Sequence, residues 1–220
     1  MRLKDIRANA REALSGNWFI AIVASFIAGT FGALSSGFSS AGAGGVEEFS
    51  KLSELTTEEL LVTLAVFGGI TLIGLIISTA ITAFISVGYA QFNIDLVDGN
   101  QAKISTIFSK GGQVWTAIVA RILIIIRVVF GMLLFIVPGV IAAYKYSMVD
   151  YIIAENPGIS AKEALERSKE IMDGNKFRFF RLSLSFIGWG LLSVVTFGIA
   201  SIWVTPYIQA SYAEFYKEIA

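Results

Sequence analysis

Long stretches of this chain carry no charge at all, and short charged segments separate them. No charge stands between Glu12 and Glu47, and none between Glu59 and Asp95. From Val114 to Ala154 the only charges are Arg121, Arg127, Lys145 and Asp150. A bilayer core is crossed by roughly 20 apolar residues in helix. Backbone groups in lipid must bond internally, so spans are helices or closed barrels. A barrel needs short segments of alternating apolar and polar residues; these runs are continuous, so the pattern predicts helices.

The stretches from 114 to 154 and from 177 to 217 are each too long for one span at about 1.5 Å per residue. Pro138-Gly139 lies at the middle of the first and Thr196-Phe197-Gly198 at the middle of the second. Pro is tolerated in a first helical turn and Gly in a turn, so each reads as a tight hairpin. The rival for the second is one span to Val204 followed by an interfacial helix. The expected fold is therefore an all-α membrane protein, a single integral membrane domain over residues 1–220. Six transmembrane helices form three hairpins, at about 18–38, 60–92, 114–136, 139–154, 177–195 and 199–217. Amphipathic cytoplasmic interfacial helices accompany them, one at 2–15.

Basic residues orient such a chain, because short cytoplasmic loops are rich in Lys and Arg. With six spans, thirteen basic residues fall on one side. They include Arg2, Lys4, Arg7 and Arg11 at the N-terminus and the run from Lys162 to Arg181. The loop between the first two spans holds only Lys51, beside Glu47, Glu48, Glu54, Glu58 and Glu59. The N-terminus, and with six spans the C-terminus, is expected in the cytoplasm. A cleaved leader ending near Ala41-Gly42-Ala43 is the weaker reading of the start.

Two interfacial helices have their own signatures. Leu3, Ile6, Ala10 and Leu14 line one face of the first. Ser160-x-x-Glu163 is a capping box for the second, which Gly174 should end. Such helices lie on anionic lipid or pack against other spans. The segments before the first and fifth spans also repeat: Ser15-Gly16-Asn17-Trp18-Phe19 against Asp173-Gly174-Asn175-Lys176-Phe177. Tyr89 with Asp95, Tyr144 with Asp150 and Tyr207 with Glu214 recur near the ends of the even spans. A threefold unit of interfacial helix and hairpin would explain this, as would the common placement of aromatic and acidic residues at membrane borders.

Composition narrows the chemistry. There are 17 basic and 17 acidic residues, so no excess of positive charge invites nucleic acid. The chain has no Cys and no His. That removes thiol nucleophiles, thiolate or imidazole metal sites and His-based acid–base catalysis. No phosphate-binding GxxxxGK[ST] loop and no GxSxG elbow is present. Neither an enzyme nor a cofactor or metal is expected.

The candidate site is therefore the set of charges at membrane depth: Arg127, Asp150, Lys145 and Arg121. Such groups are costly in lipid and often functional. In a hairpin turning at Pro138-Gly139, Arg127 lies eleven residues before the turn and Asp150 eleven after it, so the two should be level and paired. Arg121 should snorkel toward headgroups. Lys145 should face a wet cavity or pair across the bundle. Ala21, Ser25, Gly29, Ala33 and Gly37 in the first span, and Ser78, Thr82, Ser86 and Ala90 in the second, are small residues at a spacing that allows close helix packing.

The last third carries a family resemblance. Pro138-Gly139, Tyr144, Tyr146-Ser147-Met148, Asn156-Pro157, Gly174, Leu184-Ser185-Phe186-Ile187-Gly188-Trp189, Pro206-Tyr207 and Phe215-Tyr216 resemble a family of uncharacterised bacterial membrane proteins, domain-of-unknown-function family 975. Val137 and Val140 stand where that family more often has Ile. The resemblance implies a bacterial cytoplasmic membrane location and no assigned activity. Two functions fit: a small transporter, channel-like or lipid-handling protein, or an accessory protein that binds other membrane components. The expected partners are membrane lipids and, under the second reading, other membrane proteins.

Overall fold

In a computed structural model, residues 2–43 and 56–220 are described. Among them the chain is helical, with turns and no strand. The helices are α1 (Leu3–Leu14), α2 (Trp18–Ala43), α3 (Thr57–Val97), α4 (Thr106–Ser109), α5 (Val114–Leu134), α6 (Ile136–Lys145), α7 (Val149–Glu155), α8 (Ala161–Ile171), α9 (Lys176–Leu184), α10 (Ile187–Val195) and α11 (Ser201–Ile219). The acidic loop around Lys51 lies outside the described residues.

Three helical stretches among the described residues are long and apolar enough to cross a membrane: Gly68–Val97, Gly111–Leu133 and Lys176–Val195. A fourth is gained if α1 and α2 to Phe31, bent by 100° at their junction, count as one broken span. The expectation of six is corrected at two places. The segment 139–154 is not one helix: α6 has ten residues and α7 seven, with the chain turning at Tyr146–Met148 between them. Neither piece reaches across about 30 Å of hydrocarbon. α11 has 19 residues, but Gln209, Glu214, Lys217 and Glu218 make it too polar, and one face, from Val204 to Tyr216, is buried inside the protein.

α3 is the axis of the fold. It touches α1, α2, α4, α5, α7 and α11. Its C-terminal half is packed: Ala83, Val87, Phe92, Ile94 and Leu96 are all buried. Around it, Ile6 and Leu14 of α1, Ile152 and Ile153 of α7, Leu165 of α8 and Phe215 and Tyr216 of α11 close a core in which each is at most 1% exposed. Toward the other end the apolar side chains face outward, as in Ile73 and Ile76 of α3, Phe130 of α5 and Leu191 and Val194 of α10. The molecule thus has a tier with an ordinary protein core and a tier whose apolar surface suits lipid.

The interfacial helices belong to the packed tier. Ile6, Ala10 and Leu14 are fully buried, so α1 spends its apolar face on α11 and α3 rather than on lipid. α8 begins as the capping box predicted, with the Ser160 hydroxyl accepting from the Glu163 amide at 3.2 Å. The repeated Gly-Asn pair has one job in both places. Gly16 and Gly174 adopt φ of +83° and +74°, a region only Gly enters cheaply, and so end α1 and α8. The Asn after each donates back to the carbonyl four residues earlier, Asn17 to Ala13 and Asn175 to Ile171. The arms that follow differ: α2 and α3 are single helices of 26 and 41 residues, whereas the arm after Gly174 is broken into α9 and α10, nine residues each, before the 19 of α11.

Two close approaches shape the packing. A Cβ on Gly88 would overlap the Ile107 backbone carbonyl, so α4 can lie on α3 only because residue 88 has no side chain. Across the α5–α6 turn, a Cβ on Gly131 would sit 3.0 Å from the Gly139 Cα. Gly88→Ala is therefore expected to destabilise the protein by about 1–3 kcal/mol, as overpacking does. Gly190→Ala, inside α10 where added atoms meet open space, should not lower stability and by helix propensity gains up to about 1 kcal/mol. Thermal unfolding in one detergent checks both, and equal midpoints for Gly88→Ala and the parent would contradict the packing.

Candidate functional site

α5 and α6 form the expected hairpin, but it turns at Phe135, not at Pro138-Gly139. Phe135 is extended, with φ of −162° and ψ of 151°, and is both the end of α5 and the cap of α6. Pro138 falls in the first turn of α6, where a missing N–H costs nothing. Gly139 then lies against Met132, whose backbone nitrogen would be 2.9 Å from a Cβ there.

This three-residue shift changes the ion pair. Arg121 precedes Phe135 by fourteen residues and Asp150 follows it by fifteen, so these two are level. Arg121 Nη2 donates to Asp150 Oδ2 at 3.0 Å and to Ser86 Oγ at 2.8 Å. One guanidinium thus ties α5 to the start of α7 and to α3. The expected Arg127–Asp150 pair is not formed. Arg127 instead lies over the Tyr146 ring, 5.5 Å from its centroid. Arg121 does not reach out as a snorkelling residue but points inward. Lys145 closes α6, with its ammonium 5.9 Å from the Tyr146 ring and its backbone carbonyl accepting from the Ser168 hydroxyl at 3.0 Å.

A cavity of about 410 Å³ opens at the pair. Arg121, Asp150, Tyr146 and Ser147 supply its polar lining, with Ile124 and Ile125 on the α5 side. The Arg121 and Asp150 side chains are 26% and 35% exposed, so both remain reachable from it. Lys145 and Arg127 stand outside this lining.

A second cavity, of about 270 Å³, lies between α2, α3 and α11. Ser25, Thr82, Ser86, Tyr89, Thr205 and Gln209 line it. Tyr89 and Ser25 share a hydrogen bond of 2.7 Å, clamping α3 to α2. Ser86 belongs to this lining and also receives Arg121, so one hydroxyl borders both polar places. The small-residue stripes show where α2 and α3 approach each other; that Ser25 and Ser86 would also act as polar partners follows only from which helices face them.

A third polar group seals the packed tier. Lys217 bridges Asp98 at 3.0 Å and Glu155 at 3.1 Å, and Tyr216 donates to Glu155 at 2.7 Å. Glu214, one turn before, has its pKa pushed up, first by burial and further by Asp98 and Glu218, against a hydrogen bond from Asn9. The Arg7 guanidinium donates to the Tyr207 hydroxyl at 3.1 Å and sits 5.2 Å from the Phe186 ring, binding α1 to α11 and to the α9–α10 break. No spacing in the sequence links residues 7 and 207.

Residues 118–220 match the model of a family described as protein of unknown function (DUF975). The resemblance read from the residues is a family match over that stretch. It covers α6 to α11 and all but the first turn of α5, and it includes Arg121, Asp150 and the Phe135 turn. No curated protein and no solved structure matches the chain.

The raised pKa of Glu214 has a testable sign. The folded protein holds the proton more tightly than the unfolded chain, so this group favours folding below the ordinary Glu value of about 4.3 and the contribution is lost as pH rises through the raised value. The unfolding midpoint should therefore fall less from about pH 4 upward in Glu214→Gln than in the parent. Identical pH slopes would show that Glu214 is not desolvated.

Proposed function

We propose that this chain is a non-enzymatic, multi-pass protein of a bacterial cytoplasmic membrane that handles a small polar or lipid-derived solute. The observation that carries the reading is the Arg121–Asp150 pair, held by Ser86 and open to a cavity of about 410 Å³. A charge placed among apolar helices is costly, and chains that keep one there commonly use it for a substrate or ion. A purely structural clamp would be better served by a closed site. Here part of both side chains is left accessible, so a ligand can compete for either. Arg121 would hold an anionic or carbonyl group of the solute, Asp150 a cationic or hydroxyl group. Ser86 links the pair to the second, hydroxyl-lined cavity through its hydrogen bond to Arg121.

In this reading the N-terminus and the packed tier face the cytoplasm, where the basic residues of α1, α8 and α9 gather. The acidic loop around Lys51 faces outward. Because the chain has no Cys, Lys51→Cys gives a single reporter. A membrane-impermeant thiol reagent should label it in intact cells; labelling only after the cells are opened would reverse the orientation.

Native mass spectrometry of the gently extracted protein tests the site. The parent should retain a small molecule or lipid in defined stoichiometry, and both Arg121→Gln and Asp150→Asn should lose at least tenfold of it, the effect of about 1.4 kcal/mol. A parent with no retained ligand, and variants that only unfold at lower temperature, would contradict a handling role and favour an accessory protein that binds other membrane components.

A further inference from the structure

A second site of different chemistry lies in the packed tier. α1 and α9 are more than 160 residues apart in sequence, yet both lean on α11. Between them is a cavity of about 570 Å³ lined by Arg2, Lys4, Arg7, Arg178 and Arg181. Five cations around one hollow is an arrangement that folding alone does not favour, since like charges repel. Their partners account for only part of the charge. Arg2 meets Asp5 at 3.3 Å, and Arg178 meets Glu218 at 2.6 Å. Arg7 is oriented by the neutral Tyr207 hydroxyl and the Phe186 ring. Lys4 and Arg181 have no carboxylate partner among the described residues. Two carboxylates therefore face five cations, and the hollow carries excess positive charge that an anion would neutralise.

We propose that this cavity binds the phosphate group of an anionic ligand, with an anionic phospholipid headgroup as the source that its surroundings favour. Guanidinium forks match phosphate oxygens in pairs, and an ammonium adds a point charge. Arg7 is held through its Nε by Tyr207, which leaves its terminal nitrogens for an anion; Arg178, engaged by Asn175 and Glu218, fixes the wall beside it; Lys4 and Arg181 are exposed and able to close on the anion. The surroundings suit a lipid. Arg181 lies on α9, which opens the apolar stretch Lys176–Val195. Phe177 and Leu184 flank Arg181 on the same helical face and are 67% and 49% exposed. Beyond them α10 has no buried residue. A headgroup in the cavity would leave its acyl chains along this apolar face. Ser185 and Leu3, which complete the lining, mark the passage from polar to apolar. This site shares no residue with the cavity at Arg121 and stands whether or not that cavity carries a solute.

The test compares lipid retention by the full-length protein under native mass spectrometry with thermal unfolding. The probes are phosphatidylglycerol, phosphatidylcholine and soluble glycerol phosphate. The parent should retain phosphatidylglycerol over phosphatidylcholine. Lys4→Gln with Arg181→Gln should reduce that preference on the order of tenfold, with the unfolding midpoint unchanged because both side chains are exposed. Arg121→Gln should leave the preference intact. If glycerol phosphate alone raises the midpoint of the parent but not of the double variant, and lipids are not discriminated, the phosphate site stands and its source is soluble. If neither ligand distinguishes parent from double variant, or the lipid preference survives in Lys4→Glu with Arg181→Glu, attraction to the general positive face is enough and the proposal is overturned.

Discussion

α5 and α6 approach each other closely on either side of their turn: a Cβ on Gly139 would overlap Met132, and one on Gly131 would press on the Gly139 backbone at 3.0 Å. This close approach goes with a reversal at Phe135, and the register of the two helices follows from it. That register brings Arg121 level with Asp150. Arg121 then reaches Ser86, which locks the hairpin to α3. The cavity at the pair exists because α6 stops at Lys145 and the chain turns before α7 begins. A continuous fourth span would carry Asp150 in one unbroken helix and pack its length against α5.

The break after Lys145 also explains why the protein divides into two tiers. α7 and α8 leave the apolar layer and pack under α3 and α5, where Met148, Ile152, Leu165 and Met172 are buried. Burial there gives about 1.5–3 kcal/mol for each large apolar side chain, so the lower tier is held by an ordinary hydrophobic core. Among the described residues the upper tier shows no such core of its own. The apolar surface of its helices, as at Ile73, Ile76, Phe130 and Val194, suits lipid. The two candidate sites are separate, one inside the helices at Arg121 and Asp150, the other in the packed tier between α1 and α9.

Much of the fold was legible because uncharged runs and caps have strict physical meaning. The Ser160 cap, the paired Gly16-Asn17 and Gly174-Asn175 stops and the apolar face of α1 all correspond to elements of the structure. The count of spans was not legible, because hydropathy measures composition and not continuity. Residues 139–154 are apolar enough, but the turn at Tyr146–Met148 has no Pro or Gly to announce it. α11 illustrates the opposite error: its first half reads as membrane, yet Val204, Tyr207 and Ala210 are buried by protein. The pairing of Arg121 was missed through a three-residue error in the turn. Pro138-Gly139 is the visible signal, but Pro fits the first turn of a helix as well as it fits a loop, so the reversal precedes it.

The central claim is the register set at Phe135, and a double-mutant cycle measures it directly. Unfolding free energies of Arg121→Gln, Asp150→Asn and the double variant should be non-additive by about 0.5–3 kcal/mol, near the lower end because both side chains are partly exposed. The same cycle with Arg127→Gln in place of Arg121→Gln should be additive within about 0.5 kcal/mol. Coupling of Arg127 to Asp150, with none for Arg121, would place the turn at Pro138-Gly139 and contradict the site described here.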